Sequence, residues 1–363
     1  MFVSAIDNPS RLRRSHLFGI SSVEFSFWKF VFVCHQILLS LLGPSLLMAQ
    51  PARHGLIVTS VSGDEESKEK FWKWSSQMYQ TLNQELKFPK ENLFFLAEDP
   101  NQDNSIVTAK ATRSELSKVF DRLASRVAAD DLVFVFLLGH ASFDSKEYKF
   151  NLLGPDVTGS ELKAYLDRFP SQKVVLVCAT PCSGILTKIL SHKNRIIITA
   201  TKNEFENNAT IFAQFLVEAF QNKAADSDKN GEVSILEAYS YARQKVDAWY
   251  KERKLLATEH PILEDNGDGV GSSLPSPANG EGLLASKISL GEAVAAVAQR
   301  GGNPSASPEL SALYSNKQRI EAALQELKYK RSSLSDAEYN KSLESLLVQL
   351  AQTNQKIKTL ERK

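Results

Sequence analysis

Two apolar runs limit what this chain can fold into, and each one stops at a reactive side chain. The first, residues 132–138, is followed by Gly139 and His140, and the second, residues 173–179, is followed by a short turn that contains Cys182. Runs of this length that are rich in Val, Leu and Phe are typical of strands buried on both faces, as in a parallel sheet. In open α/β sheets, functional groups gather at the carboxyl ends of such strands. If the two strands are neighbours, His140 and Cys182 lie at the same sheet edge.

A thiol beside an imidazole indicates nucleophilic catalysis, because the imidazole raises the thiolate fraction and the thiolate is the nucleophile. Each residue also has a structural alternative. His140 could be a strand-end histidine that bonds to a carbonyl. Cys182 could be a small buried hydrophobe, as we expect for Cys178 inside the strand.

Around these two runs the chain alternates short apolar strands with segments of helical periodicity. Further strands are predicted at residues 54–61, 92–96 and 194–200, and helices at residues 71–86, 112–127 and 208–221. A capping box at Thr158 and Glu161 opens another helix. This order predicts an α/β fold in which helices cover both faces of a mostly parallel sheet. A last, edge strand is predicted at residues 283–290.

The charge balance and the cysteine count exclude several classes of protein. Lys and Arg total 43 residues and Asp and Glu total 42, so nothing favours nucleic acid as a partner. The three cysteines are too few for a disulfide framework, and they lack the spacing of a zinc site. No glycine-rich phosphate loop follows any predicted strand, which disfavours a nucleotide-binding domain.

Residues 1–49 have the pattern of an export signal. Basic residues precede an apolar stretch near residues 30–48, and Ala49 has the small side chain of a signal-peptidase site, although Leu47 is bulky for the −3 position. We therefore expect an exported protein, periplasmic or extracellular. Because the leader is long, an uncleaved membrane anchor is the alternative.

The C-terminal part of the chain has a separate character. Residues 292–309 are predicted to form a flexible linker. Beyond it, apolar residues at three-four spacing and a capping box at Ser335 and Glu338 predict an antiparallel helical hairpin or coiled coil over residues 310–363. Such helices could fold back on the domain or mediate self-association with a second copy.

A calcium-binding pattern follows the helix predicted at residues 208–221. Loop positions one, three, five, six, seven and twelve are Asp226, Asp228, Asn230, Gly231, Glu232 and Glu237. This is the EF-hand pattern, in which hard oxygen ligands at this spacing wrap one ion and the glycine permits the sharp turn. The prediction is a structural Ca²⁺ site, and the alternative is an acidic loop that joins two helices.

A second acidic stretch, residues 264–269, resembles half of such a loop. Its twelfth position is Pro275, so we predict a glycine-rich turn without an ion. His260, shortly before it, is predicted to be structural. Glu204 and Glu206 follow the strand at 194–200, where residues that contact a substrate would fall.

The histidine at one strand end, the Cys-Ser-Gly at the next and the acidic loop later resemble the caspase-like fold of cysteine peptidases, which includes caspases, metacaspases and legumains. The resemblance is strongest to bacterial exported proteins of the legumain type, and it implies a caspase-like three-layer sandwich over residues 50–291. It is carried by residues 138–142, 147–155, 194–201, 226–238 and 258–269. It further implies a cysteine endopeptidase that acts on a peptide or protein substrate. His140 would then be the general base and acid, and Cys182 the nucleophile.

Two positions depart from that family pattern. Ala141 follows the histidine where the family has glycine, and the nucleophile position falls on Pro181, one residue before Cys182. In a strand, one residue of slip turns a side chain to the opposite face, unless a local bulge restores it. The sequence therefore leaves two hypotheses, a working exported cysteine endopeptidase and a catalytically degenerate relative that binds peptides or partner proteins.

Overall fold

The computed structural model describes residues 51–276 and 279–291, isolated positions between 312 and 331, and residues 334–360. The predicted leader at residues 1–49 and the predicted linker at residues 292–309 lie outside this part of the chain. None of the helices in the described part has the length and apolar character that a bilayer-spanning segment requires.

A seven-stranded sheet forms the centre of the described structure, in the order β10-β9-β8-β4-β1-β2-β3. Its strands are β1 Arg53–Thr59, β2 Leu93–Ala97, β3 Ala109–Lys110, β4 Leu132–Leu138, β8 Lys173–Ala179, β9 Arg195–Thr199 and β10 Ile262–Glu264. Neighbouring strands run parallel except β10, which is antiparallel to β9. The predicted mostly parallel sheet is thus confirmed.

Helices cover both faces of this sheet. One face carries α1 Glu65–Gln80, α5 Phe212–Gln221 and α6 Ile235–Glu252, and the other carries α2 Arg113–Ala124, α3 Gly159–Leu166 and α4 Ile185–Leu190. All seven residues of β4 are buried, and they alternate between the two faces: Phe134 and Phe136 pack with α1, α5 and α6, while Val135 packs with α2 and α3. A strand that is buried on both sides needs apolar residues at every position, which explains its continuous apolar run. The predicted α/β sandwich of three layers is confirmed.

Side-chain caps fix the N-termini of several of these helices. The Thr158 side chain accepts the N–H of Glu161 while the Glu161 carboxylate accepts the N–H of Thr158, so the predicted capping box opens α3. Ser234 and Glu237 form a second capping box at the start of α6. These reciprocal bonds satisfy N–H groups that a helix N-terminus otherwise leaves unpaired.

Two local features differ from the sequence prediction. The segment after His140 contains a small antiparallel sheet, β5 Ala141–Phe143, β6 Tyr148–Phe150 and β7 Val157–Thr158, where only a loop was expected. The predicted edge strand at residues 283–290 is not formed: residues 283–287 are in a turn, in which the Asp265 carboxylate accepts the N–H of Ala285 at 2.8 Å, and Ser289 makes only an isolated antiparallel bridge to Ser234. The edge position belongs to β10.

The C-terminal region contains one long described helix, α7 Asp336–Leu360. Asn316 donates a side-chain hydrogen bond to Thr353 at 3.1 Å, and Ile320 and Ile357 are both buried. These contacts are those expected between the two arms of a hairpin. Much of the first arm lies outside the described residues, so the hairpin over residues 310–363 stays a prediction.

Candidate active site

The strands that precede His140 and Cys182 are hydrogen-bonded neighbours. β4 and β8 run parallel, and their last residues, Leu138 and Ala179, are register partners. Both turns therefore leave the sheet at the same edge, as the sequence predicted.

The imidazole of His140 lies on the side of the sheet that carries α1. Its ring meets the ring of Phe71 edge-on, with centroids 5.1 Å apart. Nε2 lies 2.9 Å from the carbonyl oxygen of Ser62, and because that oxygen can only accept, Nε2 carries the hydrogen. The backbone N–H of His140 donates to the Ser60 hydroxyl. The ring is thus held by the turn after β1, as in the structural alternative for this residue.

Cys182 has a different environment. Its side chain is 3% exposed and packs in the apolar cluster of the opposite face, together with residues such as Leu186. Its backbone has φ of 57°, the left-handed conformation, which is uncommon for a residue other than glycine. The N–H of Cys182 donates to the carbonyl of Glu206 at 2.8 Å. The preceding Pro181 is also buried, so the turn presents neither side chain to solvent.

The surroundings of Cys182 disfavour its thiolate. Burial raises the pKa of the thiol and has the largest effect, the N–H of Phe143 lowers it in part, and the negative charge of Glu204 adds a smaller increase. A nucleophilic cysteine needs a lowered pKa and access to solvent. Within the described residues no hydrogen bond joins Cys182 to His140, so the structure brings the two strands together without pairing the two side chains.

Cys178 belongs to the core, as the sequence predicted. Burial raises its thiol pKa to about 11, and the Tyr148 hydroxyl lies 3.1 Å from its sulfur. The same hydroxyl lies 2.8 Å from that of Thr180. These side chains form a closed polar cluster beneath the turn after β8.

The Ser183-Gly184 pair has a structural explanation. A Cβ on Gly184 would lie 2.2 Å from the backbone nitrogen of Asn203, so only glycine allows this close approach. The Ser183 hydroxyl is buried, donates to the carbonyl of Thr180 at 2.8 Å and lies 3.2 Å from the Thr201 hydroxyl. This motif therefore joins the turns after β8 and β9.

A further network lies at this sheet edge, and the sequence indicated it only weakly. The Glu206 carboxylate accepts the backbone N–H groups of Lys202 and His260 at 3.0 and 3.1 Å, and it pairs with Nδ1 of His260. Through its carbonyl, Glu206 also holds Cys182. Glu206 is thus an anchor inside the turn, while His260 keeps 39% of its side chain exposed. Phe205, next to it, is 76% exposed.

Glu259 is a buried carboxyl group that caps α5. Its oxygens accept the N–H of Ile211 at 2.9 and 3.1 Å and that of Phe212 at 3.3 Å. Burial raises the pKa of Glu259 to about 8, outweighing those two N–H donors. No signal in the sequence distinguishes this glutamate from a surface one.

A recess of 20 Å³ lies between the ends of β1 and β2, lined by residues that include Ser60, Ser62 and Phe71. This volume suits about one water molecule.

The predicted calcium loop gathers its acidic side chains. One oxygen each of Asp226, Asp228 and Glu237 lies within 4.8 Å of the other two. Burial, followed by the charges of Glu237 and Asp226, raises the pKa of Asp228. Crowded carboxylates of this kind are the ligands that Ca²⁺ prefers.

The other two predicted ligands lie in the same turn. The N–H of Glu232 donates to the side-chain oxygen of Asn230 at 2.8 Å. Glu237 serves twice, since its carboxylate also accepts the N–H of Ser227 at 2.9 Å and closes the capping box of α6. The donor set fits a calcium ion.

Comparison with known proteins gives only distant likenesses. No protein-family model and no curated protein matches this chain. It is similar to a protein from Geobacter sulfurreducens, at 12% identity and a TM-score of 0.39, over 63% of this chain and 96% of that one. It is also similar to a secreted C11 cysteine protease from Bacteroides thetaiotaomicron, solved with an irreversible peptide inhibitor, at 13% identity and a TM-score of 0.31, over 55% of this chain and 59% of the protease. At these identities and TM-scores neither likeness assigns the chain to a family.

Proposed function

We propose that this chain is a catalytically inactive relative of the caspase-like cysteine peptidases that binds a peptide segment of a partner protein. The observation that carries this proposal is the position of the Cys182 thiol. It is 3% exposed, packs on the face opposite to the His140 ring and has a raised pKa. A peptidase needs the thiolate and the imidazole in one cleft.

The peptide would lie on the turn after β9. Phe205 is 76% exposed there, and the partly exposed His260 and Lys202 stand beside it through their bonds to Glu206. An exposed aromatic ring next to charged groups is a common anchor for a peptide partner.

The first experiment tests inactivity. The purified full chain is incubated with Ca²⁺ and an electrophilic peptide probe from pH 5 to pH 9, and labelling is read by mass spectrometry. We expect no labelling of Cys182. Labelling that disappears in both Cys182→Ala and His140→Ala would instead establish the alternative, a working cysteine endopeptidase.

A second experiment tests binding. Peptides selected from a displayed library against the full chain should lose about tenfold in affinity for Phe205→Ser, the loss expected for one interface anchor. Leu274→Ser, which removes another exposed apolar side chain, is the matched control, since Leu274 is 63% exposed on a different loop. Equal losses in the two variants, or no loss in either, would contradict the proposed surface.

We further propose that the loop at residues 226–237 binds a structural Ca²⁺ ion. The clustered oxygens of Asp226, Asp228 and Glu237 support it. Such an ion would fix the connection between α5 and α6, which pack on the same face of the sheet. Its oxygen ligands supply no catalytic group.

Export and self-association complete the proposal. The leader pattern of residues 1–49 supports export, and fusion of those residues to a periplasm-dependent reporter tests it.

On α7, Leu343, Leu347 and Ala351 form one apolar stripe at four-residue spacing, and Leu347 is 49% exposed. We propose that a second copy of the chain covers this stripe.

A further inference from the structure

The loop after β10 gathers three acidic side chains around one point. One oxygen each of Glu264, Asp268 and Glu281 lies within 4.8 Å of the other two. Glu264 and Glu281 are buried, with 0% and 4% exposure, whereas Asp268 is exposed. Like charges at this depth are unfavourable unless protons or a cation compensate them.

Glu264 has an oxygen that the protein does not satisfy. Its Oε1 accepts the N–H of Gly267 at 2.6 Å, but its Oε2 is buried and has no hydrogen-bond partner among the described residues. Buried polar atoms are nearly always paired, so this oxygen is open to a ligand such as a water molecule or a cation.

The cationic side chains of the described residues do not supply that partner. None of them forms an ion pair with Glu264, Asp268 or Glu281. Arg195 attracts Glu264 without a hydrogen bond: its two terminal nitrogens donate to Leu190 and Asp167, and its buried Nε has no partner among the described residues. Arg195 therefore offsets part of this negative charge from a distance, and no lysine or arginine of the described residues contacts the three carboxylates directly.

The possible ligands follow the order of a calcium-binding loop, except that the last ligand comes from outside the loop. Loop positions one, three, five and six are Glu264, Asn266, Asp268 and Gly269. Position twelve in the sequence is Pro275, which has no ligand atom, but Glu281 occupies the cluster instead. The Asn266 amide donates to the Glu281 carboxylate at 2.7 Å, so the two stretches are joined. The last ligand thus comes from a more distant part of the chain than the usual spacing provides.

The surrounding structure holds these ligands in place. Gly267 has φ of 86°, and a Cβ there would lie 2.9 Å from the backbone nitrogen of Lys193. The Asp265 carboxylate accepts the N–H of Gly282 at 2.7 Å and that of Ala285 at 2.8 Å. The loop and the returning segment are therefore fixed on both sides of the acidic cluster.

We propose that Glu264, Asp268 and Glu281 form a second divalent-cation site, with Ca²⁺ as the preferred ion. All of its ligands are hard oxygen donors, and the flexible coordination of Ca²⁺ accepts additional neutral oxygens from Asn266 or water. The ion would bind the loop after β10 to residues 279–285. Because Glu264 pairs with Ile197 and lies away from the His140 turn, the ion would be structural.

A shared proton is the competing explanation for the cluster. Burial, with Asp265 and Glu264 beside it, raises the pKa of Glu281 to about 8. A protonated Glu281 would relieve the repulsion without an ion. Titration with the metal alone separates the two explanations, because only the cation site depends on the ion concentration.

The test is calorimetric titration of the full chain with CaCl₂ at pH 7.5 in an Asp226→Ala background, where the loop at residues 226–237 lacks its first ligand. We expect about one ion per chain and a rise in melting temperature with Ca²⁺. Adding Glu281→Gln keeps a similar shape and an acceptor oxygen, and it should weaken Ca²⁺ binding at least tenfold and remove the rise. Adding Glu252→Gln, an exposed glutamate at the end of α6, should change neither.

Two results would overturn the proposal. One is an Asp226→Ala protein that takes up no Ca²⁺, which would leave the shared proton as the explanation. The other is Ca²⁺ binding that Glu281→Gln does not weaken. If Glu281→Gln does not fold, Asp268→Asn replaces it, because Asp268 lies at the exposed side of the cluster. This variant should also weaken Ca²⁺ binding at least tenfold, and unchanged binding would overturn the proposal.

Discussion

Leu138 and Ala179 are register partners at the ends of β4 and β8, but His140 and Cys182, in the turns after these strands, lie on different faces of the sheet. The His140 ring lies against α1, whereas Cys182 packs in the cluster of α2, α3 and α4. Residues 181–184 form a turn in which Cys182 has the left-handed φ of 57°, so this turn, and not alternation along an extended segment, sets the direction of the thiol. Adjacent strands are thus necessary for a thiol–imidazole pair but not sufficient.

Cys182 should be inert in the folded protein. Burial raises the pKa of its thiol and leaves the residue 3% exposed. A thiol reagent therefore finds little thiolate to react with and cannot reach the sulfur. In a Cys34→Ser background, Ellman's reagent should find no fast thiol in the native chain and about two after unfolding in guanidinium. Ser142→Cys, at an exposed position of β5, supplies a fast-reacting control. Rapid modification that requires Cys182 would favour the peptidase hypothesis.

Gly184→Ala should destabilise the chain. The added Cβ would meet the backbone nitrogen of Asn203 at 2.2 Å and the backbone carbon of Lys202 at 2.3 Å, and backbone atoms cannot rotate away. We expect a loss of about 2 kcal/mol in the free energy of unfolding, as for other overpacked sites. Urea denaturation measures it. Gly159→Ala is the control, because the nearest atoms to its Cβ are the ends of the flexible side chains of Ile189 and Leu186, at 3.0 and 3.2 Å, and Tyr148 lies at an ordinary contact distance of 3.6 Å; an equal loss there would contradict the explanation.

The elements that the sequence predicted well carry local signals. The continuous apolar run of β4 follows from burial on both faces, and the capping box of α3 is complete within four residues. Such patterns depend on residues that are close in sequence, so they can be recognised without knowledge of the tertiary contacts.

The features that the sequence did not predict depend on contacts between distant residues. Residues 283–290 are apolar enough for a strand, but Asp265 captures the N–H of Ala285 and makes a turn. Glu206 becomes an anchor only because the chain brings His260 to it. Glu281 joins Glu264 across a loop, where spacing pointed to Pro275. No periodicity encodes these partners.

Asp226→Ala should remove the part of the calcium response that belongs to the loop at residues 226–237. The variant is made in a Glu281→Gln background, so that the loop after β10 does not contribute. There, Ca²⁺ should raise the melting temperature of the parent but not of Asp226→Ala, because its ligand set loses a carboxylate. Asp130→Ala, at an exposed position, is the control. A calcium-dependent rise that persists in Asp226→Ala would contradict the proposed ligand.

Leu347→Glu should reduce self-association. It places a charge in the stripe of Leu343, Leu347 and Ala351 that a second copy would bury, and an unpaired buried charge is unfavourable. Light scattering after gel filtration over a range of concentrations should show a dimer that weakens at least tenfold. Gln349→Glu adds the same charge at an exposed position outside the stripe and should leave the dimer intact. A parent chain that is monomeric at every concentration would end this proposal.

Glu259 should make stability depend on pH. Burial raises the pKa of its carboxyl group from 4.5 to about 8 in the folded chain. A folded state with the higher pKa binds the proton more tightly, so this stabilisation is complete below about pH 4.5 and is lost as the pH rises through 8. Between pH 5 and pH 8.5 the free energy of unfolding should fall by about 4 kcal/mol more in the parent than in Glu259→Gln, which keeps an oxygen acceptor for Ile211 and Phe212. Urea denaturation at each pH measures the difference, and Glu69→Gln, at an exposed site on α1, should follow the parent. Parallel pH curves for the parent and Glu259→Gln would show that this carboxyl group is ionised in the folded chain.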